Sequence, residues 1–274
     1  MTSSNVSEKF VWGSELEGRG VMTTFDTMVG VSIWALTISA VVIGILNLCV
    51  IKKLTIFHNS FGAFWVSRTI GEIGSNIVHV LYSAPVTVLQ PKDIPPTFGV
   101  TIFMIGYFFA SESCIMHQFV SANRMLAVCA PLKYDSLFNR KVTRNCIIFA
   151  WSAVTVLMSL YIVVPCQMIG YSPKYYEFIY IRCERSERET AVQNVTMMGT
   201  LAIISIVNNR NSAHIGWNIV AFDSIIVTHV NNGLALILFN PEVRRLFRGK
   251  SKTVTNSVEP FADQTTVCPP PQEA

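Results

Sequence analysis

Residues 121–134 read SANRMLAVCAPLKY. An apolar run that begins near Phe98 leads into this stretch, which carries a single arginine, Arg124, then a short apolar step, then Pro131 and Lys133. Physically this is the cytoplasmic end of a membrane helix. Arg124 stands where the helix leaves hydrocarbon, and its long stem lets the guanidinium reach water. Pro131 stops the helix, and Lys133, Arg140, Lys141 and Arg144 follow as a basic loop. The composition agrees: 51% of residues are apolar and 14% charged, against about 25% charged in soluble domains. So few charges would struggle to cover a soluble surface. The net charge of +4 sits in short clusters, a pattern of membrane orientation rather than of nucleic-acid binding. The seven cysteines are scattered without CxxC spacing, so neither a zinc site nor a dense disulfide scaffold is indicated.

Outward from this stretch, the chain divides into apolar segments of membrane-crossing length, about 20 residues. Residues 1–26 are polar and read as a short, flexible extracellular tail; Glu8, Lys9, Glu15, Glu17 and Asp26 precede the first apolar run, which is unlike a cleavable signal peptide. Asn5-Val6-Ser7 is a glycosylation sequon, usable if the tail is luminal. Thr27–Ile51 is uncharged and closes on Lys52 and Lys53. Phe61–Leu89 contains Arg68 and Glu72, four apart on one helix face, where they can pair. Isolated charges at the bilayer centre cost ~3 kcal/mol each, so these two should point into a bundle. The third span holds Glu112 near mid-membrane, with Arg68 or His79 as available partners, and His117 five residues on. Cys146–Gly170 is a charge-free fourth span, followed by Ala191–Val207, at the short limit, and Ile215–Phe239, which contains Asp223 and His229. The chain ends in FNPEVRRLFRGKSK, whose Val243, Leu246 and Phe247 share one face among arginines, an amphipathic helix suited to anionic membrane lipid. Residues 249–274 form a polar, proline-ended tail read as cytoplasmic and disordered.

The segments at 52–60, 123–144 and 240–252 hold two, five and five Lys/Arg, against one in 90–97. By the positive-inside rule these three are cytoplasmic. The fold class is therefore all-α, a polytopic membrane helix bundle with a transmembrane domain over 27–248.

The string NRMLAVCAPLKY resembles the end of the third helix of a G-protein-coupled receptor. In that family an acid, an arginine and an aromatic precede a leucine-alanine-valine step and a proline-leucine-basic-tyrosine loop. Here the triplet is Asn123, Arg124, Met125. That departure, with FHNSFG at 57–62 and FNPEVRR at 239–245, is most similar to the nematode chemosensory receptors called serpentine receptor class X. The resemblance spans about residues 29–248. It implies a receptor for a small environmental molecule, bound between the outer helix halves, that signals through a heterotrimeric G protein, in the plasma membrane of sensory neurons. Asn123 and Arg124 would form the coupling switch with Asn240-Pro241, which resembles the asparagine-proline motif ending the last helix of many receptors. It places a packing asparagine at Asn47; a polar residue near the interface reads equally well. Asn47, Arg68, Glu72, Glu112 and Asp223 would make an intramembrane polar network. Cys166 and Cys183 flank a tyrosine-rich stretch and would bridge if Cys183 lies outside.

No Ser/His/Asp order, HExxH, phosphate-cradling glycine loop or metal-spaced cluster appears, so neither an enzyme nor a cofactor or metal site is expected. A transporter or channel, with Glu72, Glu112, Asp223 and Arg68 lining a polar path, is the alternative from another class, although no paired repeat halves are visible. A non-signalling receptor remnant is a third reading. It arises because only six spans are readable of an expected seven. The last span must run inward to leave RRLFRGKSK inside, while the fourth delivers Tyr171 outside. YSPKYYEFIYI, 11 residues, is too short to cross as a helix. RCERSERE at 182–189 looks like a charged inner loop, so a helix, the fifth, is missing near Arg182–Glu187.

Overall fold

A computed structural model describes residues 11–163 and 168–181, together with 226–227, 229–231, 233–234, 237 and 241–247. The chain is helical, and its polarity is reversed relative to a soluble protein. Arg68, Glu72, Glu112 and Asn123 are buried, whereas Val31, Val42, Ile45 and Ile148 stand about half exposed. Apolar side chains facing outward and polar ones facing inward suit a solvent of lipid, in which backbone groups must be satisfied within helices.

Helix α1 (Thr24–Lys53) begins with a capping box, in which Thr23 accepts from the Asp26 amide and the Asp26 carboxylate accepts from that of Thr23, and ends on Lys52 and Lys53, cations suited to the negative end of the helix dipole. Helix α2 (Ser60–Val78) is capped by Asn59, which accepts from the Gly62 amide at 3.0 Å. It passes through a π-helical turn at His79–Ser83 into α3 (Ala84–Leu89). The turn has a covalent cause: Pro85 has no N–H, and its ring would crowd the carbonyl four residues earlier, so the ladder opens by one residue. The second span is thus one interrupted helix over 60–89. Helix α4 (Pro96–Cys129) starts on prolines, whose missing N–H costs nothing there, and halts at Ala130, before the proline that opens α5 (Pro131–Leu137). Helix α6 (Arg140–Val163) opens on Asn139, whose side-chain oxygen accepts from the amides of Lys141 and Val142 at 3.0 and 2.9 Å. By length and composition α1, α4 and 140–161 of α6 can each cross a membrane.

The fourth span was expected at Cys146–Gly170; the helix begins at Arg140, and Ile169–Gly170 belong to a strand. An apolar run misses the first turns because arginines and lysines can lie along a helix while their heads stay in water. The tyrosine-rich stretch is an antiparallel hairpin, β1 (Ile169–Ser172) with β2 (Glu177–Tyr180), in which Tyr171 faces Phe178 and Ser172 faces Glu177. Its aromatic and β-branched residues favour a strand, and Pro-Lys favours the turn. Nor do residues 11–23 form a free tail. Leu16 is fully buried against Gly99 and Gly170, the amides of Gly18 and Gly20 donate to the carbonyls of Pro91 and Gln90 at 2.6 and 2.7 Å, and Ser172 donates to the Glu15 carbonyl at 2.7 Å.

The core has two parts. At the basic end, Val50, Phe57, Phe64, Trp65, Val120, Phe138 and Val243 pack together, so the three basic segments meet at one end. At the opposite end, Leu16, Val29, Tyr82, Tyr171, Tyr176, Ile181 and Ile226 do the same. Close contact between α2 and α4 depends on Gly71, where an added Cβ would lie 2.8 Å from the Phe109 carbonyl oxygen, the small-residue packing that membrane helices use.

Candidate functional site

The buried face of α2 carries a column of polar side chains, and each neighbouring helix contributes to it. Arg68 Nε lies 3.1 Å from Glu72 Oε1, the i,i+4 pair. The same guanidinium lies 4.2 Å from the Trp65 ring centre and 3.4 Å from His117 Nδ1 of α4. Glu112 does not use Arg68 or His79. It accepts from the Ser67 hydroxyl at 2.7 Å, and the Trp151 indole of α6 donates to that hydroxyl at 3.0 Å. Ser67 is therefore the joint of three helices. Ser67 carried no signal in the sequence beyond standing beside Arg68, and Trp151, 27 residues after Arg124, fitted both the tryptophan typical of the fourth helix in such receptors and ordinary packing. Further along α2, Asn76 Nδ2 lies 2.9 Å from His229 Nδ1 and donates to the Glu72 carbonyl at 2.7 Å. His79 bonds with the Ser83 hydroxyl at 3.0 Å. Asn47 is buried beside Gly233. Among the described residues, Asn47 Oδ1, Arg68 Nη2 and Glu112 Oε2 have no hydrogen-bond partner. A column partly satisfied in this way has spare bonding capacity for a second arrangement.

The column approaches the basic end beneath Arg124. Its guanidinium lies 5.0 Å from the Phe61 ring centre and 5.3 Å from that of Trp65, so Arg68 and Arg124 share one indole. No carboxylate pairs with Arg124 among the described residues. Its neighbour Asn123 is buried and bonds to the Tyr134 hydroxyl of α5 at 3.1 Å. Pro241 opens the short helix α7 (Pro241–Phe247), whose Arg244 and Arg245 are exposed. Asn5, Cys166, Cys183, Asp223 and Asn240 lie outside the described residues. No group of three or more His, Cys, Asp or Glu that could hold a metal ion occurs among those described.

The opposite end is closed by a second polar cluster. The Asp26 carboxylate, fully buried, receives Arg19 at 3.2 Å, Gln90 at 2.9 Å, the Thr23 hydroxyl at 2.6 Å and the Tyr176 hydroxyl. Gln90 also donates to the Pro173 carbonyl at 2.9 Å, and Thr87 bonds to Tyr171 at 2.6 Å. Burial, first, and then the hydrogen bond to Asp26 hold the Tyr176 phenol above its ordinary pKa. Asp26→Ala leaves several buried donors unpaired, and a loss of about 2–3 kcal/mol is expected, discounted because Arg19 is partly exposed. The measurement is amide hydrogen exchange over 169–180 in the purified chain, which should accelerate. Unchanged protection there would show that the hairpin is held by its apolar contacts alone.

The sequence model of the family described as the serpentine type 7TM GPCR chemoreceptor Srx matches residues 35–231. The chain belongs to the Srx family. No match is found among curated proteins. Srx membership makes the chain a multi-pass membrane protein and a receptor of the chemosensory, G-protein-coupled type. The matched residues contain the whole α2 column, Arg124 and His229.

Proposed function

We propose that this Srx chain detects a small environmental molecule between the helix halves furthest from the basic end, and passes the signal to a heterotrimeric G protein at that end. Plasma membrane, and sensory neurons in particular, fit this reading. The observation that carries it is the setting of Arg124. An arginine at the helix mouth held by two ring faces, rather than by an acid, is attached by only ~0.5–1 kcal/mol at each exposed contact. Such a latch can open for a small change in helix position. The buried Asn123 beside it fixes the helix end to Tyr134 and so to the basic loop. Asn240-Pro241 would act with them, as the start of α7 against the same core. Asn47, Arg68, Glu72, Glu112 and Asp223 supply the interior through which ligand and G-protein sites would be coupled.

Arg124→Ala should leave surface expression near that of the parent chain and reduce ligand-evoked G-protein activation about tenfold, the scale of one lost charge-assisted contact. The readout is nucleotide exchange on the G protein, normalised to surface receptor. Normal signalling by Arg124→Ala, with loss of expression when Lys133, Arg140 and Arg144 are removed together, would reduce Arg124 to one more positive-inside charge. A second reading, a receptor chain short of one helix, is favoured by one observation: Ile181 and Ile226 pack at the same end of the bundle.

A further inference from the structure

Beside the α2 column, on the outer flank of the bundle, a cleft of about 950 Å³ lies at the basic end between α1, α2 and α6. Its lining changes character in one direction. Lys52 on α1 and Arg140 and Arg144 on α6 stand at the basic end, and all three are exposed. One turn deeper come Leu48 on α1 and Ile147 and Ile148 on α6, with Val66 of α2 between them. The spacings 140, 144, 147, 148 and 48, 52 each fall on one helix face, so both walls run from cation to aliphatic in the same sense. No carboxylate lines the cleft among the described residues, and none pairs with these three cations. The walls are tied. The Ser60 hydroxyl donates to the Phe138 carbonyl at 2.6 Å, and Thr143 donates to Ser60 at 2.8 Å. The floor is thus built before anything binds.

We infer that this cleft binds a phospholipid of the cytoplasmic leaflet with a multiply charged phosphate headgroup. Three cations converge on the headgroup level, where each Lys or Arg draws anionic lipid, and arginine suits phosphate through its paired donors. The aliphatic walls continue toward the membrane middle, where an acyl chain lies. A soluble anion would use the first feature and leave the second unexplained. The inference goes beyond signalling: it takes from the reading above only that the basic end faces the cytoplasm, and the test needs neither ligand nor G protein.

The full chain is placed in lipid nanodiscs of phosphatidylcholine containing a small fraction of phosphatidylinositol 4,5-bisphosphate with a diazirine in its acyl chain. After illumination, labelled peptides are mapped. Label should concentrate on 140–148 and 48–66 and fall by at least about tenfold in the variant Lys52→Gln/Arg140→Gln/Arg144→Gln, while Arg144→Lys keeps most of it. Diazirine phosphatidylcholine serves as the folding control and should label both proteins alike. Excess unlabelled bisphosphate lipid should compete, and soluble inositol trisphosphate should compete far less. Equal labelling of the triple variant, label spread evenly over all lipid-facing helices, or full competition by the soluble headgroup would each overturn the assignment.

Discussion

Arg68→Met alone will remove most of the folded receptor, and Arg68→Met combined with Glu72→Leu will recover much of it. Arg68 is 1% exposed and Glu72 6%, with 3.1 Å between the paired atoms. Removing one partner of such a pair strands the other charge, at a cost of about 3–5 kcal/mol, a large share of the 5–15 kcal/mol that holds a typical domain together. Replacing both with apolar residues of similar size removes the burial cost along with the attraction, and is close to neutral in many proteins. Surface abundance and the thermal midpoint of solubilised protein report the effect. A single variant as abundant as the parent would mean that Glu72 finds another partner. A double variant no better than the single would mean that Arg68 is held by Trp65 and His117. A stable double variant that no longer signals would assign the pair to switching.

Inserting one apolar helix of about 20 residues between Arg182 and Glu187 should raise surface yield severalfold and bring G-protein activation with it. The reasoning is one of parity. Ile181 packs in the cluster at the end opposite the basic loops, and so does Ile226. Ile237 and Val243 pack at the basic end, so the last span runs toward the basic end. Between Ile181 and Ile226 the chain must cross the membrane an even number of times. The sequence there holds one apolar run, Ala191–Val207, of 17 residues, and that run lies outside the described residues. One crossing is odd, so we propose that a helix is missing, the fifth of seven. A skipped exon, a gene-model error or a decayed gene would each produce such a chain. Transcript reads across codons 180–190 distinguish them. Continuous coding sequence there, with a well-expressed protein that activates a G protein, would sink the idea.

The first three spans and the basic end were legible because each is written in local pattern: uncharged runs, Lys52-Lys53, Arg124 before Pro131. The Arg68–Glu72 pair was legible for the same reason, being four residues apart. What stayed hidden depends on contacts between distant residues. Glu112 bonds to Ser67 rather than to a cation, and no spacing along the chain announces a hydroxyl on a neighbouring helix. The burial of Leu16 and the role of Asp26 follow from a hairpin some 150 residues away in the chain, whose aromatic residues were readable only as a loop. Arg124 was found from its motif, but its two aromatic partners, Phe61 and Trp65, come from another span.

The π-helical turn at His79–Ser83 works as a phase shift in the second span. Each residue of an α-helix advances by about 100°, so one extra residue turns everything after it by that angle. Beyond the turn, the side chains that face inward are Ala84, Thr87 and Gln90, all buried, and the last two hold the hairpin through Tyr171 and Pro173. A chain one residue shorter at this point could wind as an unbroken helix, but it would turn Thr87 and Gln90 toward lipid and take the Gln90 amide away from Asp26. The two ends of this molecule are therefore kept in register by a single residue in the middle of one helix, and the spacing between its inner and outer halves is fixed as an angle as much as a length.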